Sequence, residues 1–201
     1  TITAENLTTV DLLIMTCAEV AYTADELSAI LSWVQSGDKA LLLTGRGDHP
    51  SSPTSVTHPN TLLELIGSNI RINDDNVYME GTQEAWYNDI TTILNPADTL
   101  NLTYDVDGVS FFSPSSLYFM DDGPILPVIF ADETAYQTNQ DAPEIDVIYD
   151  NMKDGEWGDQ IPLAAIEEIG TARLFVAGTT FFSNFDYGDP AFENIQLLEN
   201  F

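Results

Sequence analysis

The chain begins with short apolar runs on either side of one amphipathic stretch. Residues 10–16 (VDLLIMT) form a continuous apolar run, which is typical of a strand buried on both faces. Residues 39–44 (KALLLT) form a second such run. Between them, Thr23 is a candidate N-cap, Gly37 is a candidate terminator, and apolar residues recur at helical spacing, at Leu27, Ile30, Leu31 and Val34. Strand, helix and strand over about 35 residues predict a βαβ unit with a parallel strand pair.

The pattern becomes less regular after this unit. Residues 45–59 (GRGDHPSSPTSVTHP) are a polar loop rich in Gly, Pro and Ser. Residues 60–67 predict a short helix with Asn60 as its cap, and residues 69–79 predict an extended segment with a turn at 73–75. Residues 82–94 predict a further helix.

Residues 97–159 differ in character from the rest of the chain. Short extended runs are punctuated by Pro, Gly and Asp, and they lie at 109–112, 117–119, 125–130 and 145–149. We therefore expect a β-rich insertion over 97–159. Beyond it, residues 161–169 and 172–177 predict a strand pair around a Gly170-Thr171 turn, and residues 192–201 predict a closing helix.

Length and charge narrow the functional classes. The 201 residues fit one domain, and a hydrophobic content of 44% is sufficient for a core. Acids outnumber bases 33 to 5, which gives a net charge of −28. A negatively charged surface repels the phosphate backbone of a nucleic acid. No apolar run reaches the roughly 20 residues that are needed to span a bilayer. We expect no nucleic acid and no membrane insertion, but a protein partner or self-assembly.

The acidity itself has two interpretations. Self-repulsion opposes folding unless ions screen it, which favours a halophilic or cation-rich setting over a merely acidic surface. Adjacent carboxylates are candidate calcium ligands, at Asp74, Asp75, Asp105, Asp107, Asp121 and Asp122. The same motifs are ordinary turn sequences, and none of them matches the twelve-residue calcium loop. Calcium is the single cofactor that the sequence suggests.

Two features bear on the location of the protein. Asn6 and Asn101 begin Asn-x-Thr sequons, which are glycosylation sites if the chain is exported. The chain carries no signal-peptide pattern. We expect an extracellular or cell-surface location. Because the first residues lead straight into a buried strand, we also expect that an opening strand of the fold is missing.

Three stretches resemble the non-catalytic branch of the class I glutamine amidotransferase-like superfamily, which includes gliding-motility accessory and intraflagellar transport proteins. They are residues 10–48, 62–78 and 161–201, about half of the chain. The third is the most specific, with a strand hairpin, Ala177-Gly178-Thr179, a Phe-Phe-Ser-Asn turn and an Asn-bearing helix. The resemblance implies a flavodoxin-like three-layer α/β sandwich with a mostly parallel sheet, and no established activity.

The residues that would support amidotransferase catalysis are absent from the sequence. Active members place a nucleophilic cysteine after the strand that corresponds to residues 39–44, where this chain has Gly45-Arg46-Gly47. Residues 178–189 also lack the histidine of the expected His–Glu pair. The single cysteine, Cys17, follows the preceding strand without a neighbouring base, which is typical of an inert thiol. We therefore assign no catalytic residue.

An alternative is a hydrolase with its site in the loop 45–59. This loop carries both histidines of the chain, His49 beside Asp48 and His58 nine residues later. The hypothesis predicts a pocket in which an imidazole meets a carboxylate.

The leading hypothesis is a non-enzymatic structural or binding module of an extracellular or cell-surface assembly. It would act through protein–protein or carbohydrate contacts and would be stabilised by calcium. Exposed aromatic and loop residues are the expected contacts. The candidates are Arg46, Asp48, His49, Phe181, Phe182, Phe185 and Tyr187.

Overall fold

A computed structural model describes most of the chain. The described residues are 1–47, 56–79, 89–95, 99–121, 123–139, 149, 158–182 and 192–201, with side chains throughout except at 89–93. The fold begins with the single-turn helix α1 (Ala4–Leu7), strand β1 (Leu12–Thr16) and the longer helix α2 (Ala24–Gln35). Strand β2 (Ala40–Thr44) follows and pairs in parallel with β1, from Leu12 opposite Ala40 to Thr16 opposite Thr44. The predicted βαβ unit is confirmed.

Helix α3 (Thr57–Ile66) corrects the predicted role of Asn60. The helix begins three residues earlier than expected, so Asn60 lies inside it. Its carboxamide bonds the backbone of Ile72 instead, donating to the carbonyl at 2.8 Å and accepting from the N–H at 2.9 Å. A tertiary hydrogen bond therefore uses the polar group that the sequence suggested as a cap. Gly67 ends the helix at φ 81, as a left-handed terminator does.

The extended segment predicted for 69–79 forms two strands. They are β3 (Ile70–Ile72) and β4 (Asn76–Met79), separated by the predicted turn. Strands β3 and β4 do not pair with each other. Each forms a two-stranded antiparallel sheet with a later strand, which is β7 (Leu117–Phe119) for β3 and β9 (Ala135–Thr138) for β4.

The helix predicted over 82–94 is wrong where the structure describes it. Residues Asp89–Leu94 form strand β5, which pairs antiparallel with β6 (Ser110–Phe112) and β8 (Ile125–Ala131). The sequence of β5 is DITTIL, and four of its six residues are β-branched. Such side chains lose rotamer freedom in a helix and fit a pleated sheet.

The central sheet is mixed, which corrects the expectation of a mostly parallel one. Its seven strands run in the order β1-β2-β11-β10-β8-β5-β6, where β10 is Pro162–Ile169 and β11 is Ala172–Ala177. Only β1, β2 and β11 are mutually parallel. The two-residue turn at Gly170-Thr171 makes β10 antiparallel to β11, and β8, β5 and β6 continue in antiparallel pairs. A short hairpin connection allows no other direction.

The segment 97–159 contributes β6 and β8 to this central sheet and β7 and β9 to the small ones. Its strand-rich character is thus observed, and two of its strands are integral to the main sheet. Its status as an insertion stays a prediction.

Two apolar cores lie on opposite faces of the sheet. Successive residues of β2 alternate between them, since Leu42 belongs to one core and Leu41 and Leu43 belong to the other. Helices α2 and α3 cover the second face. The loop around Leu102 and the C-terminal helix α4 (Asn194–Asn200) cover the first. Within the described residues, no helix has the length and hydropathy of a membrane span.

Candidate functional site

The carboxyl ends of the three parallel strands β1, β2 and β11 lie side by side, and α/β folds commonly place their functional sites at such ends. Cys17 follows β1, Thr44 ends β2, and Thr180 follows β11. The Cys17 Sγ lies 3.1 Å from Thr180 Oγ1 and 3.6 Å from Thr44 Oγ1, and the two hydroxyls are 3.4 Å apart. Both side-chain partners of the thiol in the described structure are hydroxyls, so neither is a general base.

Two ionisable side chains lie around this cluster. Burial lowers the pKa of the Arg46 guanidinium, and negative charge at Cys17 opposes that shift. Burial raises the pKa of Tyr22 to about 12, and negative charge at Cys17 and Glu26 adds to the effect. The sequence indicated Arg46 but neither Tyr22 nor Thr180. No local motif marks Thr180, because 163 residues separate it from Cys17.

The turn after β2 is packed tightly against other parts of the chain. The Gly47 N–H donates to Ser115 Oγ at 2.5 Å, and that hydroxyl donates to the Asp75 carbonyl at 2.8 Å. A Cβ at Gly47 would lie 2.7 Å from Asn73 O and 2.8 Å from Asp75 N. The turn is thus packed directly against the backbone of 73–75.

Gly178, which follows β11, is packed against backbone in the same way. A Cβ at Gly178 would lie 1.8 Å from Ser115 O, and Ser115 N–H donates to the Gly178 carbonyl at 3.0 Å. Backbone from residues 73–75 and 115 therefore occupies the space directly beyond β2 and β11. A side chain at either glycine would collide with that backbone.

A polar cluster, most of which is buried, holds the backbone of residues 73–75 and 115 in place. We give this name to Asn73, Asp75, Ser115, Ser116 and Gln137. Asp75 is fully buried, and its Oδ1 accepts from the Ser116 N–H at 2.9 Å. Its Oδ2 accepts from Ser116 Oγ at 2.8 Å and from Gln137 Nε2 at 2.6 Å. The Asn73 amide also donates to Ser116 Oγ, at 2.8 Å.

The predicted calcium ligands do not converge in the described part of the chain. The carboxylate of Asp75 accepts three hydrogen bonds, two from Ser116 and one from Gln137, and its role as a calcium ligand stays a prediction. Asp74 lies beside it in the turn between β3 and β4. Asp105, at φ 54, and Asp107 lie in a distant turn, whereas Asp121 follows β7. Asp122 falls outside the described residues, and no three His, Cys, Asp or Glu side chains among the described ones group as metal ligands do.

The aromatic residues expected at a contact surface belong to the core where they are described. Phe181 is buried, and its ring centroid lies 5.7 Å from that of Phe111 and 5.5 Å from that of Phe175. Phe182 packs edge-on against Phe181 at 5.2 Å and is half-buried. Phe181 is therefore a core residue, and Phe182 lies at the margin of the core.

Other predicted site residues divide between described and undescribed positions. Asp48, His49, Phe185 and Tyr187 lie outside the described residues, so their roles stay predictions. His58 lies in the first turn of α3 rather than in a loop. The sequon residues Asn6 and Asn101 are both exposed, the latter at φ 56, and their glycosylation stays a prediction.

A groove that the sequence did not reveal lies beside β7 and β8. Its volume is 690 Å³, and it is lined mainly by aromatic and apolar side chains with one carboxylate, at Tyr118, Phe119, Met120, Asp121, Ile125 and Tyr149. Met120 is 60% exposed. Half-exposed aromatic rings beside a polar group are typical of ligand sites.

Comparison with solved structures finds proteins of the same architecture. The mmIFT52 N-terminal domain superposes with a TM-score of 0.65 at 17% identity, covering 98% of this chain and 78% of that one. The cytoplasmic protein STM1381 from Salmonella typhimurium LT2 gives a TM-score of 0.55 at 13% identity, covering 92% and 69%. A protein described as ThuA-like, from Bacteroides uniformis ATCC 8492, gives 0.53 at 13% identity, covering 98% and 70%.

Sequence comparison adds no relative to these. No protein-family model matches the chain, and no curated protein matches it significantly. At such low identities the structural similarities establish the fold alone. The chain shares an α/β fold with the IFT52 domain and the ThuA-like protein.

Proposed function

We propose that this protein is a non-enzymatic binding module of an extracellular or cell-surface assembly. The observation that carries the proposal is the close packing at the carboxyl ends of β2 and β11, where backbone occupies the space that a catalytic cavity would need. An enzyme with its site there needs a cavity in which substrate meets nucleophile and base. Here Gly47 and Gly178 are in direct contact with the backbone of residues 73–75 and 115.

The proposal includes the family and its layered arrangement. The fold shared with the IFT52 domain and the ThuA-like protein supports membership of the amidotransferase-like superfamily. Helices α2 and α3 on one face of the sheet, with α4 on the other, support a flavodoxin-like three-layer sandwich. Arg46 at the position of the nucleophile supports the non-catalytic branch.

We assign ligand binding to the groove beside β7 and β8. Tyr118, Phe119 and Tyr149 line this groove, and aromatic side chains suit the apolar face of a sugar ring, while a carboxylate such as that of Asp121 accepts from sugar hydroxyl groups. The net charge of −28 disfavours anionic ligands. The ligand class that these features favour is a neutral or amino-substituted oligosaccharide.

Titration with oligosaccharides tests this assignment. Neutral and amino-substituted oligosaccharides, such as cellohexaose and chitosan hexamer, are titrated into the protein by calorimetry, with sulfated oligosaccharides as the anionic comparison. We expect binding of the first two and none of the third. Tyr118→Ala should weaken binding by roughly tenfold or more, as the loss of one aromatic contact does. Tyr104→Ala, at a tyrosine 66% exposed outside the groove, should leave it unchanged.

A hydrolysis assay tests the non-enzymatic part. The protein is incubated with glutamine, with nitrophenyl esters and with the same oligosaccharides, and products are followed by chromatography. We expect no turnover above that of the Cys17→Ser and His58→Ala variants. Turnover that either substitution abolishes would establish a hydrolase instead.

A further inference from the structure

The groove beside β7 and β8 lies between two separate sheets. Tyr118 and Phe119 on one wall belong to the two-stranded sheet of β3 and β7, whereas Ile125 on the other wall belongs to β8 of the central sheet. Within the described residues, no strand pairing joins these two sheets. The distance between the two walls therefore depends on contacts other than the backbone hydrogen bonds that fix strands within one sheet.

Glu167 of β10 supplies such a contact. Its side chain is buried, and its carboxylate accepts from the Asn69 N–H at 3.0 Å and from Asn69 Nδ2 at 3.2 Å. Glu167 lies opposite Ile125 in the pairing of β10 with β8, so it is fixed relative to that wall of the groove. Asn69 directly precedes β3, the partner strand of β7. One carboxylate of the central sheet thus holds the start of the smaller sheet.

Asn69 also contacts two residues that line the groove. Its carbonyl accepts from the Met120 N–H at 2.8 Å. A Cβ at Gly123 would lie 3.1 Å from Asn69 Nδ2, so the amide side chain lies directly beside this glycine. Met120 and Gly123 both line the groove. The wall at β7 is therefore connected to the wall at β8 through Asn69 and the buried carboxylate of Glu167.

A second buried carboxylate is connected to the groove through another carboxamide. Gln137 of β9 donates from Nε2 to Asp75 Oδ2 at 2.6 Å, and its Oε1 accepts from the Tyr149 N–H. Tyr149 lines the groove, and Asp75 is fully buried where it directly precedes β4, the partner strand of β9. The Asp75 carboxylate thus fixes the side chain that holds the backbone of Tyr149.

We propose that Glu167 and Asp75 are positioning residues that set the shape of the groove, Glu167 through Asn69 and Asp75 through Gln137. The inference rests on the oligosaccharide binding proposed for this groove and deepens it. A carboxylate is a stronger hydrogen-bond acceptor than a neutral group, so it holds amide donors firmly. A groove that is held in one shape before binding loses less conformational entropy when its ligand binds. The two acids therefore raise the affinity for the sugar although neither lines the groove.

Amide hydrogen exchange on the 201-residue chain, followed by NMR, tests the positioning without a ligand. Glu167→Gln turns an amide donor towards the donors of Asn69, and Asn69→Ala removes only the side-chain hydrogen bond to Glu167. In both variants the Asn69 carbonyl that accepts from Met120 is retained. We expect the Met120 amide to exchange roughly tenfold faster or more in Glu167→Gln, and faster in Asn69→Ala, whereas the amides of β11 exchange as in the wild type.

Asn194→Ala is the matched control for this exchange measurement. It also removes a buried carboxamide that bonds backbone, but its partners Ser110 and Phe181 do not line the groove. The Met120 amide should therefore exchange in this variant as in the wild type. A Met120 rate that is the same in the wild type, Glu167→Gln and Asn69→Ala would overturn the role of Glu167.

Calorimetric titration with cellohexaose measures the effect on binding, at a temperature where circular dichroism shows every variant to be folded. Glu167→Gln and Gln137→Ala should each weaken binding by roughly tenfold, and Asn194→Ala by less than about twofold. Unchanged affinity in the first two variants, or an equal loss in Asn194→Ala, would overturn the proposal. A wild type that binds no oligosaccharide defeats the ligand proposed for the groove, and the Met120 exchange rates then decide the positioning by themselves.

Discussion

At the scale of single residues, this acidic protein buries carboxylates among neutral donors. Asp75 accepts from Ser116 and Gln137, and Glu167 accepts from Ser68 Oγ at 2.6 Å and from the Asn69 N–H. A buried charge is tolerated when hydrogen bonds replace its water. These two acids anchor loops to the sheet, so part of the acidity is structural rather than a surface property.

Asp75→Asn should lower the free energy of unfolding by about 1–3 kcal/mol. The amide would point a donor at Ser116 or Gln137, which themselves donate to Asp75. Urea titration followed by circular dichroism measures the change. Asp38→Asn serves as the control because Asp38 is exposed and its positive φ of 50 suits asparagine. Equal stability of the two variants would contradict the role of Asp75.

Tyr22 should make the protein less stable at alkaline pH. Burial raises its pKa in the folded state from the ordinary 10.0 to about 12, so the folded state binds this proton more tightly than the unfolded state does. The stabilisation is fully present below pH 10 and is lost as pH rises towards 12. Urea midpoints between pH 9 and pH 12 should fall less steeply for Tyr22→Phe than for the wild type. The control is Tyr104→Phe, whose slope should match the wild type.

At the scale of elements, helix α2 shows how far a local signal extends. Thr23 Oγ1 accepts from the Glu26 N–H at 3.2 Å, and the Glu26 carboxylate accepts from the Thr23 N–H at 3.0 Å, which is a complete capping box. Glu26 also accepts from the Ile2 N–H at 3.1 Å. The hydrogen bonds from Thr23 and Ile2 lower the pKa of Glu26. Its contribution is therefore present above the ordinary value of 4.5 and is lost as pH falls through the lowered one.

Thr23→Ala should lower the free energy of unfolding by about 1 kcal/mol, since one of the unpaired N–H groups at the helix start loses its acceptor. Urea unfolding measures the change. An exposed threonine outside the helix provides the control, because Thr9→Ala removes the same atoms without a cap. If both variants unfold at the same urea concentration, the capping box contributes nothing measurable.

Asn194 secures β6 as Thr23 secures α2, but through tertiary contacts. Asn194→Ala leaves the N–H and carbonyl of Ser110 buried without this partner and also removes the hydrogen bond to the Phe181 carbonyl. We expect a loss of about 2 kcal/mol or more in urea unfolding. Gln35→Ala, at an exposed position in the last turn of α2, should change stability by less than about 0.5 kcal/mol. A loss no larger than that of Gln35→Ala would show that Asn194 does not secure β6.

At the scale of the whole molecule, charge acts on stability more than on chemistry. Few cations offset the acids, and those described are partly committed to structure. Lys39, for example, donates to the Val10 carbonyl at 2.9 Å and to Asp11 at 2.8 Å, where β1 begins. The remaining repulsion is long-range and responds to salt.

The urea midpoint should therefore rise with NaCl up to about 1 M, where the Debye length falls to about 3 Å. Calcium chloride at matched ionic strength separates screening from a specific site. Additional stabilisation by calcium would support the calcium proposal through the exposed Asp105, Asp107 and Asp121, because binding to the native state stabilises it. Equal midpoints in the two salts would refute that proposal while leaving the screening intact. A urea midpoint that does not change with NaCl would show that repulsion between the acidic side chains does not lower the stability of the folded protein.

The elements that the sequence predicted correctly have their signals close together in the chain. The capped helix α2, the parallel strands β1 and β2 and the hairpin turn at Gly170-Thr171 each depend on neighbouring residues. The prediction that β1 is buried on both faces was wrong, because β1 is the outermost strand of the sheet and only Met15 of its five residues is buried. The prediction of a helix over 82–94 was wrong because it relied on apolar spacing, whereas residues 89–94 are rich in β-branched side chains. Pairing with β6 and β8 stabilises these residues as a strand.

What the sequence determined by itself was the α/β class, the parallel strand pair, the absence of a cysteine from residues 45–47 and the charge. Only the tertiary structure decided the mixed sheet, the burial of Phe181 and Asp75, and the contact of Asn194 with the backbone of β6. The physical reason is the separation of the partners. The contact between Cys17 and Thr180 joins residues 163 positions apart, and the hydrogen bond from Asn194 to Ser110 joins residues 84 positions apart. No local pattern encodes such contacts, because they exist only once the sheet has brought distant segments together.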